Sequence, residues 1–105
     1  MKKEHVLNAI HKASNETAHF VGAHIRAEAH NSNWPEKVVR GMRVTHEKGE
    51  FNVYAHESQH AEAMNHEYGT PSRQPNPAIR RTANRTSESE RFLVTRLFKH
   101  IEDAL

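Results

Sequence analysis

One glycine and three prolines fall between Gly69 and Pro77, and they limit what this part of the chain can form. Proline has no backbone N–H and fixes one backbone angle, so residues 70–77 cannot continue a helix or pair as a regular strand. We therefore expect an extended loop. Because it separates two parts of the sequence with regular apolar periodicity, the rest of the fold has to be arranged around it.

The part before the loop predicts a long helix followed by a hairpin. Apolar and small residues recur every three or four positions over residues 2–30, which is typical of an amphipathic helix. Trp34-Pro35 ends it, because a residue before proline avoids the helical conformation, and Trp34 is expected to anchor the core. Two runs with alternating apolar residues around a glycine-containing turn predict a β-hairpin at about residues 38–55.

The remaining elements are shorter, except for the last. Residues 60–66 are polar and rich in alanine, which favours a short helix or an irregular turn over a strand. Residues 78–80 fit either a short edge strand or the first turn of the next element. An apolar stripe that includes Val94 and Phe98 predicts a C-terminal helix. The sequence thus predicts one α+β domain: a long N-terminal helix, a small antiparallel sheet, a short helix with a proline loop, and a C-terminal helix.

Composition adds three expectations. Apolar residues make up 35% of the 105 residues, against about 45–50% (with glycine) in typical domains, so we expect a thin core completed by other subunits. The absence of cysteine excludes disulfides and thiolate metal sites. No apolar run is long enough for a membrane span or a signal peptide, so we expect a protein made in the cytoplasm, without membrane contact.

A zinc-protease motif occurs directly after the predicted hairpin. The sequence His-Glu-Ser-Gln-His begins at His56, and a further histidine stands ten residues after it. This resembles the metzincin site, with His56, His60 and His66 as ligands and Glu57 as general base. Ala63, however, stands where that pattern has a glycine, and the motif follows a predicted strand rather than lying within a helix. A small zinc-dependent protease therefore remains an alternative, and we expect no cofactor.

Arginines are concentrated in the last third of the chain. Between residues 73 and 96 there are six arginines against two glutamates, although the whole chain carries a formal charge of only +2. This net charge is too small to indicate a dedicated nucleic-acid binder. A basic nucleic-acid-binding module is a second alternative.

Residues 61–83 resemble a signature of tailed-phage neck proteins, the putative tail-component or tail-completion family of lambda-like long-tailed phages (siphoviruses). The shared pattern is a short alanine-containing helix, a Glu-aromatic-Gly-Thr turn, a proline-containing loop, and a Pro-x-hydrophobic-Arg motif. The order of the predicted elements matches as well. Two departures occur: Ala78 stands where the family often has an aromatic residue, and residues 81–83 replace a proline-alanine.

The resemblance implies a structural virion protein rather than an enzyme. In this family, copies form a ring, here expected to be a hexamer, in the head–tail connector. The ring joins the head-closure protein to the tail-terminator protein around the DNA path. A ring requires two different patches that meet head to tail. We expect residues 67–80 with the hairpin to supply one patch, and the two long helices to supply the other.

The resemblance also implies roles for individual residues. The expected assembly residues are Glu67, Tyr68, Gly69, Thr70, Pro71, Pro75, Pro77, Ile79 and Arg80. Arg73, Arg81 and Arg85 are expected to contact acidic groups on adjacent subunits or on the next ring. The alternative for these three arginines is sequence-independent contact with DNA phosphates in the lumen.

Overall fold

The computed structural model describes residues 2–47 and 50–104, without the side chains of residues 86, 87 and 104. It confirms the α+β class. A two-stranded antiparallel sheet lies, in chain order, between a long N-terminal helix and a long C-terminal helix. The elements, in chain order, are α1 (Lys3–Asn31), α2 (Glu36–Gly41), β1 (Arg43–Glu47), β2 (Glu50–Tyr54), a 3₁₀ turn (Glu57–Gln59), α3 (His60–Tyr68), α4 (Ala78–Ala83) and α5 (Thr86–Ala104).

The hairpin is shorter than the predicted 38–55. Val38 and Val39 lie in α2, which starts directly after Pro35 and carries an acidic residue in its first turn. Both valines are buried, so their apolar character serves a short core helix rather than a strand. In the same way, residues 78–80 form the first turn of α4, so the edge-strand alternative is wrong.

The register of the hairpin places its apolar residues on one face. Val44 pairs with Val53, and His46 pairs with Phe51. Residues directly opposite each other in an antiparallel pair project to the same side of the sheet. This face packs over α1, where Val44 contacts the core.

The core lies at the C-terminal half of α1. Trp34, which is 3% exposed, is buried as predicted. Trp34 lies in the short segment between α1 and α2, and apolar side chains of α1, α2, α3 and α4 surround it. The buried cluster consists of Ile25, Ala29, Trp34, Val38, Val39, Met42, Ala63 and Ala78.

The N-terminal half of α1 lies outside this core and packs on α5. The two helices run antiparallel, since Phe20 stacks on Phe92 with ring centroids 4.3 Å apart, while Glu16 bonds to Arg96 and His100. The molecule is elongated as a result, with extents of 57 × 25 × 20 Å. Among the described helices, none combines the length and apolar content that a membrane crossing requires.

Candidate assembly site around the proline loop

Glu67, in the last turn of α3, is the centre of the site. Its side chain is only 2% exposed. The carboxylate accepts hydrogen bonds from the backbone N–H of Ile79 at 2.8 Å and of Arg80 at 3.1 Å. These amides belong to the first turn of α4, whose N-cap, Pro77, offers no side-chain acceptor. Glu67 therefore caps α4 from across the loop, where a negative charge is favoured.

Arg80 forms an ion pair with Glu67. Its Nε donates to Glu67 Oε2 at 2.9 Å, and its guanidinium also donates to the backbone carbonyl of Glu67. The guanidinium carbon lies 4.9 Å from the centroid of the exposed Tyr68 ring, within the range of a cation–π contact. A buried carboxylate without partners would be costly. The pairing of these two residues thus fixes the end of α3 to the start of α4.

Gly69 allows the chain to leave α3 in a tight turn. Its φ is +79°, and a Cβ added there would lie 2.8 Å from the Arg73 carbonyl oxygen and 2.9 Å from the Pro75 nitrogen. Thr70 and Arg73 exchange backbone hydrogen bonds of 3.0 and 3.1 Å. Only glycine combines this backbone angle with so close an approach.

Asn76 holds the other end of the loop, and the sequence interpretation missed it. Its backbone N–H donates to the His66 carbonyl at 2.7 Å, and its carbonyl accepts from Trp34 Nε1 at 3.0 Å. Its side chain donates to the Ser32 carbonyl at 2.6 Å and accepts from Arg81 at 2.7 Å. An asparagine between two prolines was a usable signal, because asparagine side chains commonly hydrogen-bond to the backbone in turns and loops.

The arginines near the loop contact acidic groups of the same chain. Arg81 Nε donates to Glu28 of α1 at 2.7 Å, and Arg85 lies 3.7 Å from the same carboxylate. Arg73, at the exposed tip, lies 3.4 Å from His66 Nε2. The expected contacts of Arg73, Arg81 and Arg85 with other subunits or with DNA stay predictions.

His66 lies under the loop. Its ring centroid is 5.5 Å from that of Trp34, and Arg73 is its charged neighbour on the loop side. Burial lowers the pKa of His66, and the charge of Arg73 lowers it further. Its environment therefore favours the neutral imidazole.

The loop itself is exposed at its tip and fixed at its base. The five residues from Pro71 to Pro75 are exposed, whereas Glu67 and Ala78 on either side are buried. Of the expected assembly residues, Glu67, Ile79 and Arg80 thus meet at the base, Gly69, Thr70 and Pro77 shape the loop, and Tyr68, Pro71 and Pro75 face solvent. Such an arrangement can present a rigid surface to another macromolecule.

The three histidines of the zinc motif are not brought together. His56 has ψ of 140°, outside the helical region, and caps the 3₁₀ turn by accepting from the Ser58 backbone N–H. His60 begins α3, so no helix runs through both residues. Over residues 2–47 and 50–104, no group of three or more His, Asp or Glu side chains is placed to hold a metal ion.

The chain was compared with family models, curated proteins and solved structures. None of these comparisons gives a match. The resemblance to phage neck proteins therefore rests on the residues of the signature and on the order of the elements.

Proposed function

We propose that this chain is a structural virion protein of a tailed phage. Its copies form a ring, most simply of six, in the head–tail connector, between the head-closure and tail-terminator proteins. The observation that carries the proposal is the contact of Glu67 with Arg80. These two residues lie on either side of the proline loop and hold the exposed loop between them.

The loop has the physical properties of a docking element. Association costs less when the binding segment is already ordered, because fewer backbone states are lost. Here the prolines restrict the backbone, the Gly69 turn closes one end, and Asn76 fixes the other. The exposed side chains from Pro71 to Pro75 are then free to contact a neighbouring subunit or the next ring.

The arginine pairs weaken the nucleic-acid alternative. Arg80, Arg81 and Arg85 each lie within 4 Å of a carboxylate of the same chain. A guanidinium already paired contributes less to a field that attracts phosphates. Weak binding of free duplex DNA at about 150 mM salt is expected, and tight binding there would favour that alternative instead.

Interruption of the gene in the phage that carries it tests the proposal. We expect intact heads and tails that fail to join, counted by electron microscopy, and rescue by the unchanged chain. The double variant Arg73→Glu/Gln74→Glu, which changes only the exposed loop tip, is expected to fold but not to restore joined particles. Joined, infectious particles in the absence of the protein would refute the virion role.

Glu57→Gln serves as the matched control and also tests the zinc alternative. Glu57 is exposed and lies outside the loop, so this variant is expected to restore joined particles fully. Purified protein is expected to contain far less than one zinc per chain. Stoichiometric zinc, together with a hydrolytic activity that Glu57→Gln abolishes, would replace the structural role with the protease.

A further inference from the structure

His66 lies at the centre of a small cluster of side chains under the proline loop. Its ring is partly buried, and the ring centroid is 5.5 Å from that of Trp34, in the segment between α1 and α2. Its backbone carbonyl accepts from the Asn76 N–H at 2.7 Å. On the side of the loop tip, Arg73 Nη1 lies 3.4 Å from His66 Nε2. The imidazole therefore connects the base of the loop to its exposed tip.

The contact between His66 and Arg73 requires one protonation state of the imidazole. A guanidinium can only donate hydrogen bonds, so the ring nitrogen that faces it has to accept. Nε2 accepts only in the neutral imidazole that carries its proton on Nδ1. After protonation both ring nitrogens are donors, and an imidazolium beside a guanidinium is repelled. The pairing of these two side chains thus belongs to the neutral form of His66.

The other groups that face His66 act in both directions. Burial of the ring and the charge of Arg73 lower the pKa of His66, whereas the charge of Glu62, one turn earlier on α3, raises it. Glu62 also lies 3.6 Å from Lys37 Nζ of α2, which offsets part of its charge. The ring of Trp34 attracts a cation as well. Because the lowering effects are larger, the neutral imidazole is favoured at pH 7 and is lost on acidification.

We propose that His66 is a proton-controlled latch for the tip of the proline loop. At neutral pH its imidazole accepts from Arg73 and holds the guanidinium against the base of the loop. In acid the imidazolium cannot accept, so Arg73 is released towards solvent. The backbone hydrogen bonds between Thr70 and Arg73 and the turn at Gly69 do not involve this proton. The change is therefore confined to the exposed tip, and the fold persists.

Release of Arg73 changes the surface that the loop presents. Arg73 is the only charged residue between Thr70 and Pro77 in the sequence, and the five residues from Pro71 to Pro75 are exposed. A partner that binds the loop at neutral pH meets a guanidinium in a fixed position. In acid the same charge is mobile, and ordering it costs conformational entropy. The latch acts within one chain, so its test does not depend on the proposed virion role.

Fluorescence of Trp34, the only tryptophan of the chain, measures the protonation of His66. A protonated imidazole in contact with indole quenches its emission, so titration of the full chain from about pH 7.5 to 4.5 is expected to show a loss of emission with a midpoint below about 6.5. In Arg73→Gln the midpoint is expected to rise by at least about 0.3 of a pH unit, because the neighbouring cation is removed. In His66→Gln this transition is expected to disappear.

Arg40→Gln is the matched control for the charge. Arg40 is exposed on α2 and pairs with Glu36, so its loss is expected to leave the midpoint unchanged. Circular dichroism verifies that each variant stays folded over the titrated range. A midpoint that is the same in Arg73→Gln and in the unchanged chain would overturn the proposal.

Nuclear magnetic resonance relaxation of the Arg73 Nε–Hε group tests the release itself. The order parameter of this group is expected to be lower at about pH 5.0 than at about pH 7.0, since the side chain gains freedom when the contact is lost. In His66→Gln the order parameter is expected to be the same at both pH values. An order parameter that does not change with pH in the unchanged chain would show that His66 does not hold Arg73.

Discussion

At the scale of single residues, the loop depends on Glu67 and Gly69, which stabilise it in different ways. Glu67 supplies a charge that satisfies the backbone of one helix and the guanidinium of Arg80. Gly69 supplies a backbone angle and the absence of a Cβ. The first effect is electrostatic and the second is steric, so substitutions at the two positions test separate parts of the same structure.

Replacement of the buried carboxylate is expected to be costly. In Glu67→Gln the amide can accept at most part of the hydrogen bonds, and Arg80 loses its counter-charge, so we expect the free energy of unfolding to fall by about 2–4 kcal/mol. Urea denaturation of both proteins measures this difference in unfolding free energy. The exposed Glu57→Gln is the control and is expected to change stability by less than about 0.5 kcal/mol. A loss of similar size in both variants would show that Glu67 has no special role.

A methyl group at Gly69 is expected to distort the loop. Gly69→Ala brings a Cβ within 3.0 Å of three loop atoms at a φ of +79°, so we expect a loss of about 2–4 kcal/mol in unfolding free energy. Gly22→Ala is the matched comparison, because Gly22 lies inside α1 and the nearest atom is the flexible end of Arg26, at 3.2 Å. There the better helix propensity of alanine is expected to stabilise by up to about 1 kcal/mol. Equal effects at both glycines would contradict this interpretation.

At the scale of elements, the two long helices are joined by the Phe20–Phe92 stack, by small residues and by polar contacts. Ala9, Ala13 and Ala18 are buried on α1, and Glu16 bonds to Arg96 and His100 of α5. By contrast, the large apolar residues Val94 and Phe98 remain exposed. Only part of the apolar stripe that predicts α5 is therefore buried within the chain.

Two groups with lowered pKa values are expected to make the fold sensitive to acid. The hydrogen bond from Arg96 is the main cause of the low pKa of Glu16, with His100 as a second partner. Burial is the main cause of the low pKa of His66. In both cases the unfolded chain binds the proton more readily than the folded chain, so each contribution to stability is present at higher pH and is lost on acidification.

Denaturation at a series of pH values measures this sensitivity. The unfolding free energy is expected to fall as the pH drops below about 6.5, where His66 of the unfolded chain becomes protonated, and to fall again below about 4.5, through Glu16. His66→Gln is expected to flatten the first phase and Glu16→Gln the second. An unfolding free energy that rises on acidification through either range would contradict the assignment.

At the scale of the whole molecule, the two ends differ. One end is compact and contains the core and the proline loop, whereas the other end consists of the N-terminal half of α1 packed on α5. Trp34 and Asn76 tie the loop to the C-terminal half of α1. Low apolar content and an elongated shape agree with a chain whose apolar surface is completed by association.

Local sequence signals predicted most of the elements but not all of their boundaries. The long helices α1 and α5, the presence of a hairpin and the burial of Trp34 follow from periodicity and from turn residues. The Val38-Val39 pair was assigned to the wrong element, because two adjacent apolar residues suit a buried strand and a short core helix equally well. Only the packing against Ile25 and Trp34 distinguishes the two.

The sequence by itself determined where the loop lies, because proline and glycine act on their own backbone whatever surrounds them. It also placed Glu67 and Arg80 in one signature, thirteen residues apart. Three contacts were decided only by the tertiary structure: the pairing of the buried Glu67 carboxylate with Arg80, the bonds of Asn76 to Ser32 and Trp34, and the position of His56 outside the helix of His60. Those contacts join segments distant in the chain, and their energies depend on burial, which no local pattern contains.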